Sequence, residues 1–162
     1  LFVVGCQAGT YIRKLIFDLG KKLKIGAHML ELRRTKAGPF NEDTLFTLQD
    51  LTDAFYYYKH EKNDKFLRKV IQPVENAITH LSKIWVLDTT VDTLCHGAAL
   101  NVPGVSKLHN TIKINDTIAI MTLKDELVAL GTAKMSSEDI LQKEKGLAVK
   151  TEKVFMKPDV YQ

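Results

Sequence analysis

The sequence predicts an α+β protein in two parts: a helix-rich part over residues 1–80 and a strand-rich part, a small barrel or sandwich, over residues 81–162. Three observations carry this. The chain has 162 residues, 45% hydrophobic and 26% charged, which suits one or two globular domains with a real core. Before Leu81 apolar residues recur at helical spacing. After it they fall in short runs rich in Ile, Val and Thr, separated by tight turns. Charge changes at the same place, with a net +4 over residues 1–80 and zero over residues 81–162.

The chain starts on LFVV, a short apolar run ended by Gly5 that reads as a buried strand entered in its middle. Ile12, Leu15, Ile16, Leu19 and Leu23 then form one apolar stripe at helical period, with Thr10 as N-cap and Gly26 as the stop. Gly20 inside this helix costs about 1 kcal/mol against Ala, which points to a close packing contact. In AHMLELRR, His28, Leu30 and Leu32 alternate with Met29, Glu31 and Arg33 at strand period, and KAGPF turns the chain away. TLQDLTDAF reads as a helix start, with Thr47 as cap and Asp50 as its acidic partner; Leu48, Leu51, Phe55 and Tyr58 give the inward face. The polar stretch HEKNDK breaks it. Two short helices follow, near residues 66–71 and from Pro73, a residue suited to a first helical position.

In the second part IWVL is a short strand, and TTVDTLCHG is a short helix capped by Thr89 or Thr90 and stopped by Gly97. NVPGV is a Pro-Gly turn. INDTIAIMT and ELVALGTAKM are strands joined by LKD, and GLAVKTEKVFM is another.

Several function classes lack support. No apolar run approaches the ~20 residues of a membrane span, and LFVV is too short for the apolar region of a signal peptide. Cys6 and Cys95 are far apart and make no metal or redox spacing, so the expectation is two buried thiols in a reducing cytosol. His28, His60, His80, His96 and His109 show no ligand spacing. The strongest charge feature is the net +6 over residues 13–36, which suits either a polyanion site or a solvated helix face.

Arg13 stands out within that block. If Thr10 caps the helix, Tyr11 is the first helical residue and Arg13 the third, at the positive end of the helix dipole. A cation there is disfavoured by about 0.3–1 kcal/mol. Such an arginine makes sense facing an external carboxylate or phosphate, either of which a guanidinium grips in two-pronged fashion. The plain alternative is a solvated side chain.

The stretches GTYIR, DLG, GAHM, LRRT and GPF resemble, almost position for position, the second half of the catalytic domain of TruB-type pseudouridine synthases. The similarity is greatest to the RNA-guided, dyskerin-like branch of archaea and eukaryotes. IWVLDTTVDTLCHGAALNVPGV, LVALGTAKMSSEDI and KGLAVKTEKVFMKPDVY resemble the PUA domain that follows in that family. The resemblance implies the C-terminal part of a mixed-sheet catalytic domain with connecting helices over 1–80, then a small β-barrel PUA domain over 81–162.

It also implies a chemistry. In this family an aspartate attacks a uridine flipped out of its stack, and the uracil rejoins the sugar through carbon 5, without metal or cofactor. The motif arginine that pairs with that aspartate matches Arg13, the pocket tyrosine matches Tyr11, and the pocket leucine matches Leu32. The aspartate lies upstream of LFVV in the family. These residues are therefore expected to be the C-terminal portion of a longer enzyme and inactive alone, with the missing half as nearest partner. Asp18 is expected to be structural, or an i,i+4 partner for Lys14 or Lys22. Arg33, Arg34 and Lys36 are expected near RNA phosphates or against a neighbouring domain. Gly97, Ala98, Leu100, Pro103 and Gly104 match the segment that approaches the 3′ end of the guide RNA. Further partners implied are a guide RNA with its ACA trinucleotide, substrate tRNA or rRNA, and small ribonucleoprotein subunits, in a cytoplasmic, archaeal-type particle. A non-catalytic RNA-binding module and a stand-alone, bacterial-type tRNA enzyme are the alternatives.

Overall fold

The computed structural model describes residues 1–161, which form two compact units, residues Leu1–Thr35 and the chain from Lys36 onward.

The first unit holds one helix, α1 (Ile12–Lys22). Its end is closed by the Gly20 carbonyl, which accepts from the backbone N–H groups of Ile25 and Gly26, both at 3.2 Å. Gly20 is buried, and a Cβ there would lie 2.3 Å from the Ala27 nitrogen, so the expected close contact is the chain folding back on its own helix end. Two expected strands are not formed. LFVV and AHMLELRR have no strand pairing, and Leu1, Val3 and Leu30 are exposed. A strand exists only through a neighbour's N–H and C=O groups, and no strand ladder reaches either stretch among the described residues. The α1 stripe is likewise only half-buried at Ile12 and Ile16, and exposed at Leu15, Leu19 and Leu23.

The second unit opens with a small antiparallel hairpin, β1 (Lys36–Ala37) and β2 (Phe40–Asn41), turned at Gly38 with φ +58°. Helix α2 (Leu48–Glu61) starts as expected. Thr47 Oγ1 accepts from the Asp50 N–H at 3.1 Å, and the Thr47 N–H donates to Asp50 Oδ2 at 2.7 Å, a reciprocal capping box. The helix ends at Lys62 in the left-handed region. Its expected inward face is exposed, and Ala54 is its one buried residue among those described. Helix α3 (Lys65–Val70) follows, with the Phe66 ring 5.4 Å from that of Tyr57. Pro73 then caps the 3₁₀ turn Val74–Ile78, one position before the helical start expected for it.

The Thr47 hydroxyl, and then the Thr47 N–H, hold the Asp50 carboxyl below the usual carboxylate range. A depressed folded-state pKa contributes stability that is complete above the ordinary carboxylate value and fades as pH falls through the lower folded value. Asp50→Asn is expected to lower stability slightly at neutral pH, measured by denaturant unfolding, and the difference from wild type is expected to vanish as pH falls through the carboxylate range, which flattens part of the acid limb.

The rest of this unit is a six-stranded sheet built from β3 (Ser82–Val86), β4 (Leu100–Asn101), β5 (Val105–Leu108), β6 (Thr117–Met121), β7 (Leu127–Ala133) and β8 (Leu147–Val154). The order is β4-β8-β7-β6-β3-β5, antiparallel except for β3 beside β6. The two edge strands, β4 and β5, are joined by the three-residue 3₁₀ turn Val102–Gly104, so the sheet nearly closes into a barrel. Helices α4 (Asp88–Cys95) and α5 (Ser137–Gln142) complete it. The first starts two to three residues earlier than expected, after Leu87 and without a threonine cap.

Strand period sorts the core. Ile118 and Ile120 point inward with Ile84, Val86, Leu94 and Val149, while Ala119 and Met121 point outward beneath Ile78. At a bulge in the β7–β8 pairing, Gly131 leaves room for the opposite strand. A Cβ there would lie 2.5 Å from the Lys150 carbonyl oxygen. Cys95 is buried, and burial, then Asp92, pushes its thiol pKa up; Cys6 is exposed, contrary to expectation.

Candidate functional site

Two places hold the residues singled out by sequence. The first is the N-terminus of α1. Tyr11, not Thr10, is the N-cap, with extended backbone and no side-chain cap. Arg13 is therefore the second helical residue rather than the third, still within the first turn. That turn carries no acid, whereas Lys21 and Lys22 suit the last turn. Asp18 is the i,i+4 partner of Lys14, at 2.5 Å. Among the described residues Arg13 has no ion pair and Tyr11 no side-chain hydrogen bond, and both are exposed, Tyr11 at 74%. Leu32 is also exposed, on the unpaired stretch after α1. All three catalytic candidates thus reach solvent, as do Arg33, Arg34 and Lys36.

The second place is the Gly97–Gly104 segment between α4 and β5. Gly97, at φ +87°, ends α4; its N–H donates to the Leu94 carbonyl at 2.9 Å, and that of Ala98 to the Thr93 carbonyl at 3.1 Å. Gly97, Ala98 and Pro103 are exposed. Further on, the Val102 N–H donates to Gly146 and the Gly104 carbonyl accepts from Leu87, at 2.9 and 3.0 Å. Gly104 is needed for close approach, since a Cβ would lie 2.8 Å from the Thr90 methyl. Leu100 must be corrected. Its side chain is fully buried in the barrel core, so it anchors the segment and cannot touch a ligand.

Residues 13–79 match the family model described as the tRNA pseudouridylate synthase B C-terminal domain, and residues 82–155 match the PUA domain. The chain is a TruB-type C-terminal domain followed by a PUA domain. Proteins named probable tRNA pseudouridine synthase B are similar along its whole length. That of Pyrococcus furiosus is 57% identical over 162 residues, taking in 99% of this chain and 48% of the relative. That of Nanoarchaeum equitans is 53% identical over 161 residues, taking in 99% and 46%. This TruB-type chain thus spans about half the length of the curated relatives it matches.

Solved structures agree. The crystal structure of the archaeal box H/ACA sRNP Nop10-Cbf5 complex aligns with TM-score 0.91 at 54% identity, over 96% of this chain and 50% of that one. An H/ACA RNP bound to a substrate RNA containing 2′-deoxyuridine aligns with TM-score 0.90 at 56% identity, over 96% and 49%.

No helix of this TruB-type chain is long and apolar enough to cross a membrane, and no three His, Cys, Asp or Glu residues group to hold a metal ion, among the described residues. Sequence reasoning missed Thr90, which packs on Gly104 instead of capping α4, and Gly146, whose carbonyl holds Val102. Both act across gaps in sequence that local patterns do not bridge.

Proposed function

We propose that this chain is the C-terminal part of an RNA pseudouridine synthase subunit that isomerises uridine to pseudouridine in tRNA and rRNA under the direction of a box H/ACA guide RNA. The observation that carries the reading is the alignment, over almost the whole chain, with protein from H/ACA ribonucleoprotein structures at more than half identity. In this reading the nucleophilic aspartate comes from chain outside these residues, and Arg13 faces it. The guanidinium then holds the carboxylate ionised and oriented by a charge-assisted contact. Tyr11 offers the uracil a flat apolar face with a polar tip, and Leu32 lines the same pocket. The nucleophile's bond to the substrate is made and broken within the cycle, so no redox partner is called for.

Arg33, Arg34 and Lys36 approach phosphates. Gly97, Ala98, Pro103 and Gly104 meet the 3′ end of the guide by backbone and base contacts, consistent with a second part that carries no net charge. The protein partners are the upstream half of the enzyme and small ribonucleoprotein subunits. The compartment is the cytoplasm.

The test is isomerisation of RNA tritiated at uracil carbon 5, with the full-length protein and its partners, with and without guide RNA. Tritium release that depends on the guide supports the reading. Equal release without a guide favours a stand-alone tRNA enzyme, and no release under either condition favours a non-catalytic RNA-binding module.

A further inference from the structure

The Gly97–Gly104 segment is tied at its ends by backbone bonds, but one of its carbonyls is held by a side chain from far along the chain. Thr151, on β8, donates its hydroxyl to the Ala98 carbonyl at 2.7 Å. The strand register explains why. Leu100 of β4 lies opposite Val149 of β8, and β4 is only two residues long. Carried two residues back, the same register sets Ala98 opposite Thr151. The backbone ladder has stopped by then, because the chain is leaving the sheet to enter the left-handed turn at Gly97. The Thr151 hydroxyl bridges the widening gap and supplies the missing rung.

We propose that Thr151 is a positioning residue for RNA recognition: its hydroxyl fixes the Ala98 peptide, and with it the exposed Gly97–Ala98 backbone, in the orientation that meets a single-stranded RNA end. The inference rests on the reading that this segment faces RNA. Thr151 is well suited to the task. On its other side it lies opposite Gly131, which has no side chain, and its own half-buried side chain turns toward Ala98. A β-branched residue at a strand position has few rotamers to lose on forming the bond. Ala98 is exposed, so water replaces the hydroxyl when it is removed and the fold loses little. What is lost is the fixed direction of the peptide. A backbone-reading site then pays the ordering cost at the moment of binding.

The experiment measures the dissociation constant for an RNA with a single-stranded ACA-containing 3′ end, and the melting temperature, in the full-length protein. Thr151→Val keeps the side-chain shape and removes the donor. It is expected to weaken binding about five- to tenfold with an unchanged melting temperature, and Thr151→Ser is expected to restore affinity. Ala98→Glu puts a negative charge on the segment itself and is expected to abolish binding. If Ala98→Glu weakens binding while Thr151→Val does not, the segment faces RNA and the role given to Thr151 is wrong. If Ala98→Glu is neutral, the segment does not face RNA and both readings fall. A Thr151→Val protein that binds weakly only because it melts early also overturns the proposal, since the bond would then serve the fold alone.

Discussion

Replacing Arg13 with alanine in the full-length protein is expected to lower turnover about a hundred- to thousandfold, with RNA affinity changed less than about twofold. The magnitude is that of removing one preorganised charged or polar contact from a reacting centre. The direction follows from position. An arginine in the first turn of α1 works against the helix dipole, in a turn that has no acid, and it finds no ionic partner among the described residues. Its neighbour Lys14 already takes Asp18, the one acid of α1, so the helix offers Arg13 no acid of its own. Removing Arg13 should therefore leave α1 as stable as before, or slightly more so. Arg13→Lys keeps the charge but loses the planar fork, and is expected to recover only part of the activity. Single-turnover kinetics separate this from a binding defect. An alanine variant with full turnover would show that Arg13 is merely solvated.

Leu100→Ala is expected to destabilise the barrel by about 2–5 kcal/mol, the cost of emptying a fully buried leucine site. The site is poorly able to collapse. Leu100 sits on a two-residue strand locked to β8, and the Gly104 position lies against its side chain, with a would-be Cβ 3.2 Å from Leu100 Cδ1. Thermal or urea unfolding measures the effect. RNA affinity, measured well below the lowered melting temperature, is expected to stay near wild type, because the leucine side chain faces away from solvent. The pair Leu100→Ala and Thr151→Val thus splits the segment's two duties, with stability falling in one and affinity in the other.

Much of the fold was legible where the determinants are local. Thr47 and Asp50 announce α2, and β6, β7 and β8 declare themselves through β-branched runs between tight turns. What escaped was set by distant partners. LFVV and AHMLELRR alternate or cluster as strands do, yet pairing is a property of two segments and these have none here. The outward face of α2 has the same origin: an apolar stripe says that a face can be buried, not by what. Strand β5 is four residues long with Ser106 and Lys107 in it, too short and polar to signal itself. Helix α5 also escaped, although it carries a local signal: Ser136 Oγ accepts from the Asp139 N–H as a side-chain N-cap. At the candidate site, the placement of Arg13 could be judged from spacing alone to within one residue. The burial of Leu100 could not, because a Gly-Pro-rich stretch looks like surface.

The 3₁₀ turn before the barrel is fastened to it at two points. Glu75 Oε1 accepts from the Leu127 N–H at 2.9 Å, and Ile78 is buried over Ala119 and Met121. A joint of this sort behaves as a bracket and not as a tether. The distance from Val74–Ile78 to the Gly97–Gly104 end of the barrel is then built in, so that lengthening the chain between Ile78 and Ser82 would add slack without adding reach.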